Sequence, residues 1–416
     1  MKKSITSIIF ILLFSFYCSG QNINNWLEDI DYYQKTLEEK HINLYHTISK
    51  SEFNSEIKNL ESRLHFLTDF QIIIELMRIT QKIGGGQGDG HTAVPLWNKK
   101  LHKYPIELFD FNGEIRVIGI DEKYSQFLGS QLKSIDGVNI NEIYKKVSKL
   151  TPFTENKQSI MDRTCSYLVI SEILKALNVT KNINQAQFTF INEKDDKISI
   201  SLKAINNEEL EKIKFAAISY KHPKIAKPKD SKLKNLWFTS LNDSKTVYIN
   251  FKEYGTIDEM QIFSKQVYNF IEENKSEHLI IDLRDNYGGD FYKGLLLSSY
   301  LNACDSINWE SNVYVLINRK TYSAAMVNAI QFKQLLNAIV VGEPTGANSN
   351  GYQDLGQFGL PNSKLLITYT KRIFRLQEAK SNGLQPDIFI TSKWENYKNG
   401  FDETLNWVLF DISGLD

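Results

Sequence analysis

From Trp237 onward the chain alternates short apolar runs with amphipathic stretches, and this alternation restricts its fold more than any other feature. Residues 246–251, 279–283, 313–317 and 339–342 are runs rich in Val, Ile, Leu and aromatic residues, broken only by Thr246, Asn250, Asp282 and Gly342, each the length of one strand. Between them, 257–273, 292–301 and 323–336 place apolar residues at three- and four-residue spacing, which predicts helices. A strand that is apolar without interruption is covered on both faces, and a helix between two such strands makes a crossover. The spacing therefore predicts an α/β unit built on a largely parallel sheet over 237–416.

The rest of the chain reads differently. Residues 25–82 carry helical periodicity, as in Ile30, Tyr33 and Leu37, and predict a helical region. At Gly84 the texture changes to five glycines within residues 84–90, just before His91, which rules out regular helix there. Residues 115–120 predict a strand and 128–140 a strand–turn–strand around Asp136 and Gly137. Residues 143–150 and 167–177 predict helices, and 187–191 with 198–202 a hairpin. The Lys-rich, Pro-containing stretch 220–237 reads as a solvated linker. The expected units are 1–20, a signal peptide; 21–87, helical; 88–236, a mixed region; and 237–416, the parallel-sheet core.

Lys plus Arg equals Asp plus Glu at 49 each, so no overall field draws the chain to nucleic acid or an anionic membrane. Lys2 and Lys3, an apolar run over 8–17 and the small residues Ser19 and Gly20 form an export signal, too short for a membrane span. A periplasmic or extracellular mature protein is expected, with lipid attachment at Cys18 the second choice because bulky Tyr17 precedes it. Two cysteines then remain, Cys165 and Cys304, enough for one disulfide but not for a disulfide framework. No HExxH occurs, and His41 and His46 are one residue too far apart to share a helical face, so no metal is expected.

In open α/β sheets chemistry collects at the carboxyl ends of strands. Ser323 stands at such an end, after 313–317, either as a helix cap or as a nucleophile. A second such end, 282–290, contains Gly288 and Gly289, whose N–H groups, with that of Ala324, are candidates for an oxyanion hole; an ordinary turn is the alternative. A serine nucleophile needs a base, and His91, accessible in its glycine-rich loop, is the candidate. Glu378 is the candidate to orient the imidazole, or else a solvated charge. No GxGxxG or P-loop lysine marks a nucleotide site.

The motifs LIIDLRDNYGGD (279–290), LINRKTYSAAMVNAI (316–330), VVGEPTGANSNG (340–351) and NGLQPDIFIT (382–391) follow the order seen in C-terminal-processing and tricorn-type serine peptidases, family S41, which the chain resembles. GDGHTAVPL (88–96) and GSQLKSIDGVNINEI (129–143) resemble that family's histidine loop and its PDZ-like region. The resemblance implies a crotonase- or ClpP-like catalytic core, a peptide or protein substrate, Ser323 as acyl-forming nucleophile and no cofactor. The C-terminal-processing branch uses a Ser/Lys pair, and no lysine lies between Gly342 and Leu360, so the chain is more similar to the tricorn-like branch with its histidine base. That branch often places serine beside the histidine, where this chain has Gly90. The alternative expectation is an inactive S41-like protein that binds peptides or other ligands.

Overall fold

The computed structural model describes residues 22–220, 222–307, 309–310, 312–378 and 382–415. The export signal and Cys18 lie outside the described residues. The fold is mixed α/β.

A six-stranded sheet runs in the order Ile388–Phe389, Ile339–Gly342, Val313–Ile317, His278–Asp282, Thr246–Phe251, Leu236–Leu241. Every neighbouring pair is parallel except the last, where Leu236–Leu241 turns back antiparallel. Side chains alternate across the pleat, so each apolar run feeds two cores. Val247, Ile249, Leu279, Ile281, Val313 and Val315 face the helices Ile257–Asn274, Phe291–Leu301 and Ala324–Leu335. Tyr248, Ile280, Tyr314 and Leu316 face Leu405, Val408 and Ile412 of the carboxyl-terminal helix Glu403–Leu415. Full burial of each Val, Ile or Leu contributes about 1.5–3 kcal/mol, which explains why these runs admit no polar residue at their centres.

A second sheet is antiparallel, in the order Ile106–Phe111, Glu114–Asp121, Gln131–Ile135, Gln185–Ile191, Lys197–Lys203. It shares one continuous core with the amino-terminal helices Ile23–Lys40, Lys50–Arg63 and Asp69–Gln81. A long hairpin, Asn350–Gly359 with Leu366–Arg375, leaves the parallel-sheet region and joins that core through Leu360, Leu365 and Ile367. Two local expectations need correction. The helix expected over 167–177 is the shorter Ser171–Ala176, and it is preceded by an unexpected helix, Lys157–Tyr167, which buries polar residues such as Ser159, Asp162 and Thr164 and so lacks an apolar stripe. Cys165 and Cys304 are both buried and free, so the disulfide that two cysteines allowed does not form.

Candidate active site

Ser323 sits between the strand Val313–Ile317 and the helix Ala324–Leu335 with φ 49° and ψ −123°. Positive φ is costly for a residue with a Cβ. Its side chain makes no capping hydrogen bond, so the cap reading of this serine fails and its hydroxyl is left unspent. The turn is held from the neighbouring strand end: Tyr322 N–H donates to Asn286 O at 2.9 Å, and Asn286 Nδ2 donates to Phe251 O at 2.7 Å.

Gly288 presses on this turn. A Cβ there would lie 2.8 Å from Ser323 Cβ and 3.2 Å from Ala324 N, and its φ of 96° also favours glycine. The expectation that Gly288 N–H serves the oxyanion hole is corrected here, since it donates to Asn286 Oδ1 at 2.9 Å. The N–H groups of Gly289 and Ala324 have no protein acceptor among the described residues.

The histidine loop is fastened by three other segments. Gly86 N–H and Gly88 N–H donate to Thr154 O and Glu155 O, at 2.7 and 2.9 Å. The hairpin donates Tyr352 N–H to Gly88 O at 3.0 Å and Thr368 N–H to Ala93 O at 2.9 Å. Beneath the loop, buried Asp89 accepts from His91 N–H, Thr92 N–H, Thr92 Oγ1 and Thr370 Oγ1. His91 thus stands on a hydrogen-bonded base, and its Nδ1 is buried without a hydrogen-bond partner among the described residues. Burial pushes its pKa below the ordinary histidine value; Asp89 and the Tyr352 backbone oppose that shift, and the charge of Arg163 adds to it. The neutral imidazole, the form a general base requires, is therefore favoured.

The helix Lys157–Tyr167 and the turn 343–349 join the two halves. Asp162 Oδ2 accepts from Tyr322 Oη at 2.8 Å, and the Arg163 guanidinium lies 4.3 Å from the centre of the Tyr322 ring. Gly346 packs against the same ring, while Asn348 lies against Gly88 and donates its N–H to Glu155 Oε2 at 2.8 Å. Tyr322, next to Ser323, and the loop carrying His91 are thus held by one common set of residues.

Two carboxyl groups are candidates to orient the imidazole. Glu378, the sequence candidate, is exposed and has no hydrogen-bond or ion-pair partner among the described residues, although Gln377 beside it is tied to Asn350 by bonds of 2.6 and 3.0 Å. Glu155 was missed by sequence reasoning. It is buried, its Cγ lies 2.5 Å from where a Cβ on Gly90 would stand, and burial pushes its pKa up to about 8 against the Asn348 N–H bond. Its carboxyl fills the space that a side chain beside His91 would take, and nothing in the local sequence TENKQ signals this.

The spacing argument separated His41 and His46, yet the fold gathers them with Asp89, their candidate ligand atoms all within 4.8 Å of one another. Hydrogen bonding accounts for the place of His41 in it, whereas His46 Nε2 is buried with no hydrogen-bond partner among the described residues. Asn43 N–H donates to His41 Nδ1 at 2.9 Å, so the His41 proton sits on Nε2 and is donated to Asp89 Oδ2 at 2.9 Å. That tautomer makes His41 a donor that steadies the histidine loop and leaves it no lone pair for a metal.

Residues 299–390 match the model of peptidase family S41. The chain is similar in structure to mature CPAF, with a TM-score of 0.66 at 12% identity over 93% of this chain and 96% of that one. It is similar also to mature CPAF complexed with lactacystin, with a TM-score of 0.65 at 11% identity over 93% and 97%. A photosystem II D1 C-terminal processing protease aligns at 13% identity over 88% and 93%, with a TM-score of 0.40. No curated protein sequence matches the chain. The segment surrounding Ser323 thus matches peptidase family S41, inside a fold shared along nearly the whole chain with mature CPAF.

Proposed function

We propose that this chain is an exported serine-type peptidase that hydrolyses peptide bonds through an acyl-enzyme on Ser323. The observation that carries the reading is the strained turn at Ser323, whose hydroxyl caps nothing and whose neighbour Tyr322 shares its supports with the loop of a half-buried, neutral-favouring histidine.

In the proposed cycle His91 takes the Ser323 proton as Oγ attacks the peptide carbonyl. The oxyanion is met by the N–H groups of Gly289 and Ala324, helped by the positive end of the helix that begins at Ala324. His91 then protonates the leaving amine, the C–N bond breaks, and water attacks the ester with His91 again as base. The imidazolium needs a carboxyl partner. Sequence points to Glu378 and burial beside Gly90 points to Glu155, and the Gln variant of each decides which one limits turnover.

A fluorophosphonate probe tests the nucleophile directly. Wild type is expected to be labelled, Ser323→Ala to be unlabelled and His91→Ala to be labelled at least about 100-fold more slowly, general-base assistance being worth about 10²–10⁴. Wild type that stays unlabelled and cleaves no peptide would leave the inactive, peptide-binding reading in its place. Export is tested by the amino terminus of protein recovered from cells, expected near Gln21. Among the described residues no helix is long and apolar enough to cross a membrane.

A further inference from the structure

Beside the proposed nucleophile lies a cation with no carboxylate at ion-pair distance among the described residues. Trp97 stacks on Phe153 at 5.2 Å, Tyr287 stacks on Tyr322 at 5.6 Å, and the Arg163 guanidinium lies over both inner rings, 5.6 Å from Phe153 and 4.3 Å from Tyr322. The outer rings open to solvent, Trp97 being 59% and Tyr287 56% exposed. Other buried and part-buried arginines have carboxylate partners, as Arg78 has with Glu56, Arg284 with Asp402 and Arg319 with Glu343. Arg163, also part-buried, has none within ion-pair distance among the described residues, and its Nε is buried with no hydrogen-bond partner. The acids on its own segment are engaged elsewhere: Asp162 with Tyr322 Oη and Lys320, Glu155 with Asn348 N–H and Gln353.

Leaving a part-buried charge unpaired is costly, and a working state that supplies the partner removes the cost. A guanidinium stacked on aromatic rings is already oriented, with its in-plane donors free to grip a planar two-oxygen acceptor. The location selects the partner. Arg163 touches the residue before Ser323, and its charge reaches His91, so a group bound there is carried by whatever peptide lies across those two residues. Resting on the peptidase reading, we propose that Arg163 is a specificity residue that reads a carboxylate of the bound peptide, from an acidic side chain or from the chain terminus.

Binding to Ser323→Ala tests this without requiring turnover. The probes are fluorescein-labelled hexapeptide pools carrying Glu or Gln at one fixed position, each prepared as the free acid and as the terminal amide. One charged member of these pairs is expected to bind about 10- to 100-fold more tightly than its uncharged match, the range for a charge-assisted hydrogen bond. Adding Arg163→Gln should erase that difference, while Arg163→Lys, which keeps the charge and loses the planar fork, should retain part of it. A Glu-over-Gln preference identifies a side chain and an acid-over-amide preference identifies the terminus. Equal binding of charged and uncharged pools, or a preference that survives Arg163→Gln, overturns the proposal. If Arg163→Gln fails to fold, the Lys variant decides, since an unchanged preference in it and in 0.5 M salt would equally overturn the proposal. Failure of the peptidase reading shows separately, in wild type that the fluorophosphonate does not label.

Discussion

Ser323 and His91 are placed at opposite kinds of cost. Serine at positive φ holds on the order of 1–3 kcal/mol of backbone strain, and the histidine gives up the solvation of its charged form. The second cost has a sign that can be measured. Because burial lowers the pKa of His91, the ring stays neutral as pH falls through the ordinary histidine value of about 6.5. The acid limb of kcat/KM on a fluorogenic peptide is therefore expected to have its midpoint below that value, and a midpoint at or above it would mean that the catalytic base titrates in a solvated setting. Both candidates stand out in the sequence because each interrupts a pattern, Ser323 at a strand-to-helix handover and His91 after a run of glycines. Glu155 interrupts nothing. Its burial comes from Asn348 and Gln353, which lie nearly two hundred positions further along the chain.

At the scale of elements, the helix Lys157–Tyr167 positions the site, and its first contact is its cap. Asn156 accepts from Ser159 N–H at 3.0 Å and donates to Thr345 O at 3.1 Å and Asn348 Oδ1 at 2.8 Å. One side chain thus starts the helix that carries Arg163 and holds the turn beside the histidine loop. Asn156→Ala is expected to lower unfolding free energy by about 2–3 kcal/mol, more than the roughly 1 kcal/mol of a cap alone, because buried acceptors lose their donor. Urea unfolding measures this, and a loss of 1 kcal/mol or less would reduce Asn156 to an ordinary cap. The parallel strands were legible because a strand covered on both faces is predominantly apolar, with Thr246 and Asn250 the polar exceptions in 246–251, and 246–251, 313–317 and 339–342 were bounded to the residue. The hairpin Asn350–Gly359 with Leu366–Arg375 was not, since its strands mix Gly, Asp, Lys and aromatics where one face meets solvent and the other meets the histidine loop.

At the scale of the molecule, the candidate site draws on the surroundings of two cores, one under the parallel sheet and one shared by the helices and the antiparallel sheet. A polar clasp spans them. Arg319, four residues before Ser323, donates Nε and Nη2 to Glu343 at 2.9 and 3.0 Å, donates Nη1 to Asp110 O at 2.7 Å, and lies 4.6 Å from the Phe109 ring. Asp110 and Phe109 belong to the antiparallel sheet, whereas Arg319 and Glu343 follow strands of the parallel one. Both charged groups are buried, so the pair adds little over an apolar contact of equal shape, but breaking it leaves a charge with no partner. Arg319→Met is accordingly expected to cost about 3–5 kcal/mol, and adding Glu343→Gln should return much of that by removing the stranded carboxylate. Thermal and urea unfolding of the single and double variants measure the difference. If the double variant is as unstable as Arg319→Met alone, the arginine acts through its packing on Phe109 and its bond to Asp110, and the ion pair is incidental. If it recovers stability without recovering turnover, the clasp holds the sheets in the register that the proposed serine–histidine pair requires, a role that stability measurements alone would miss.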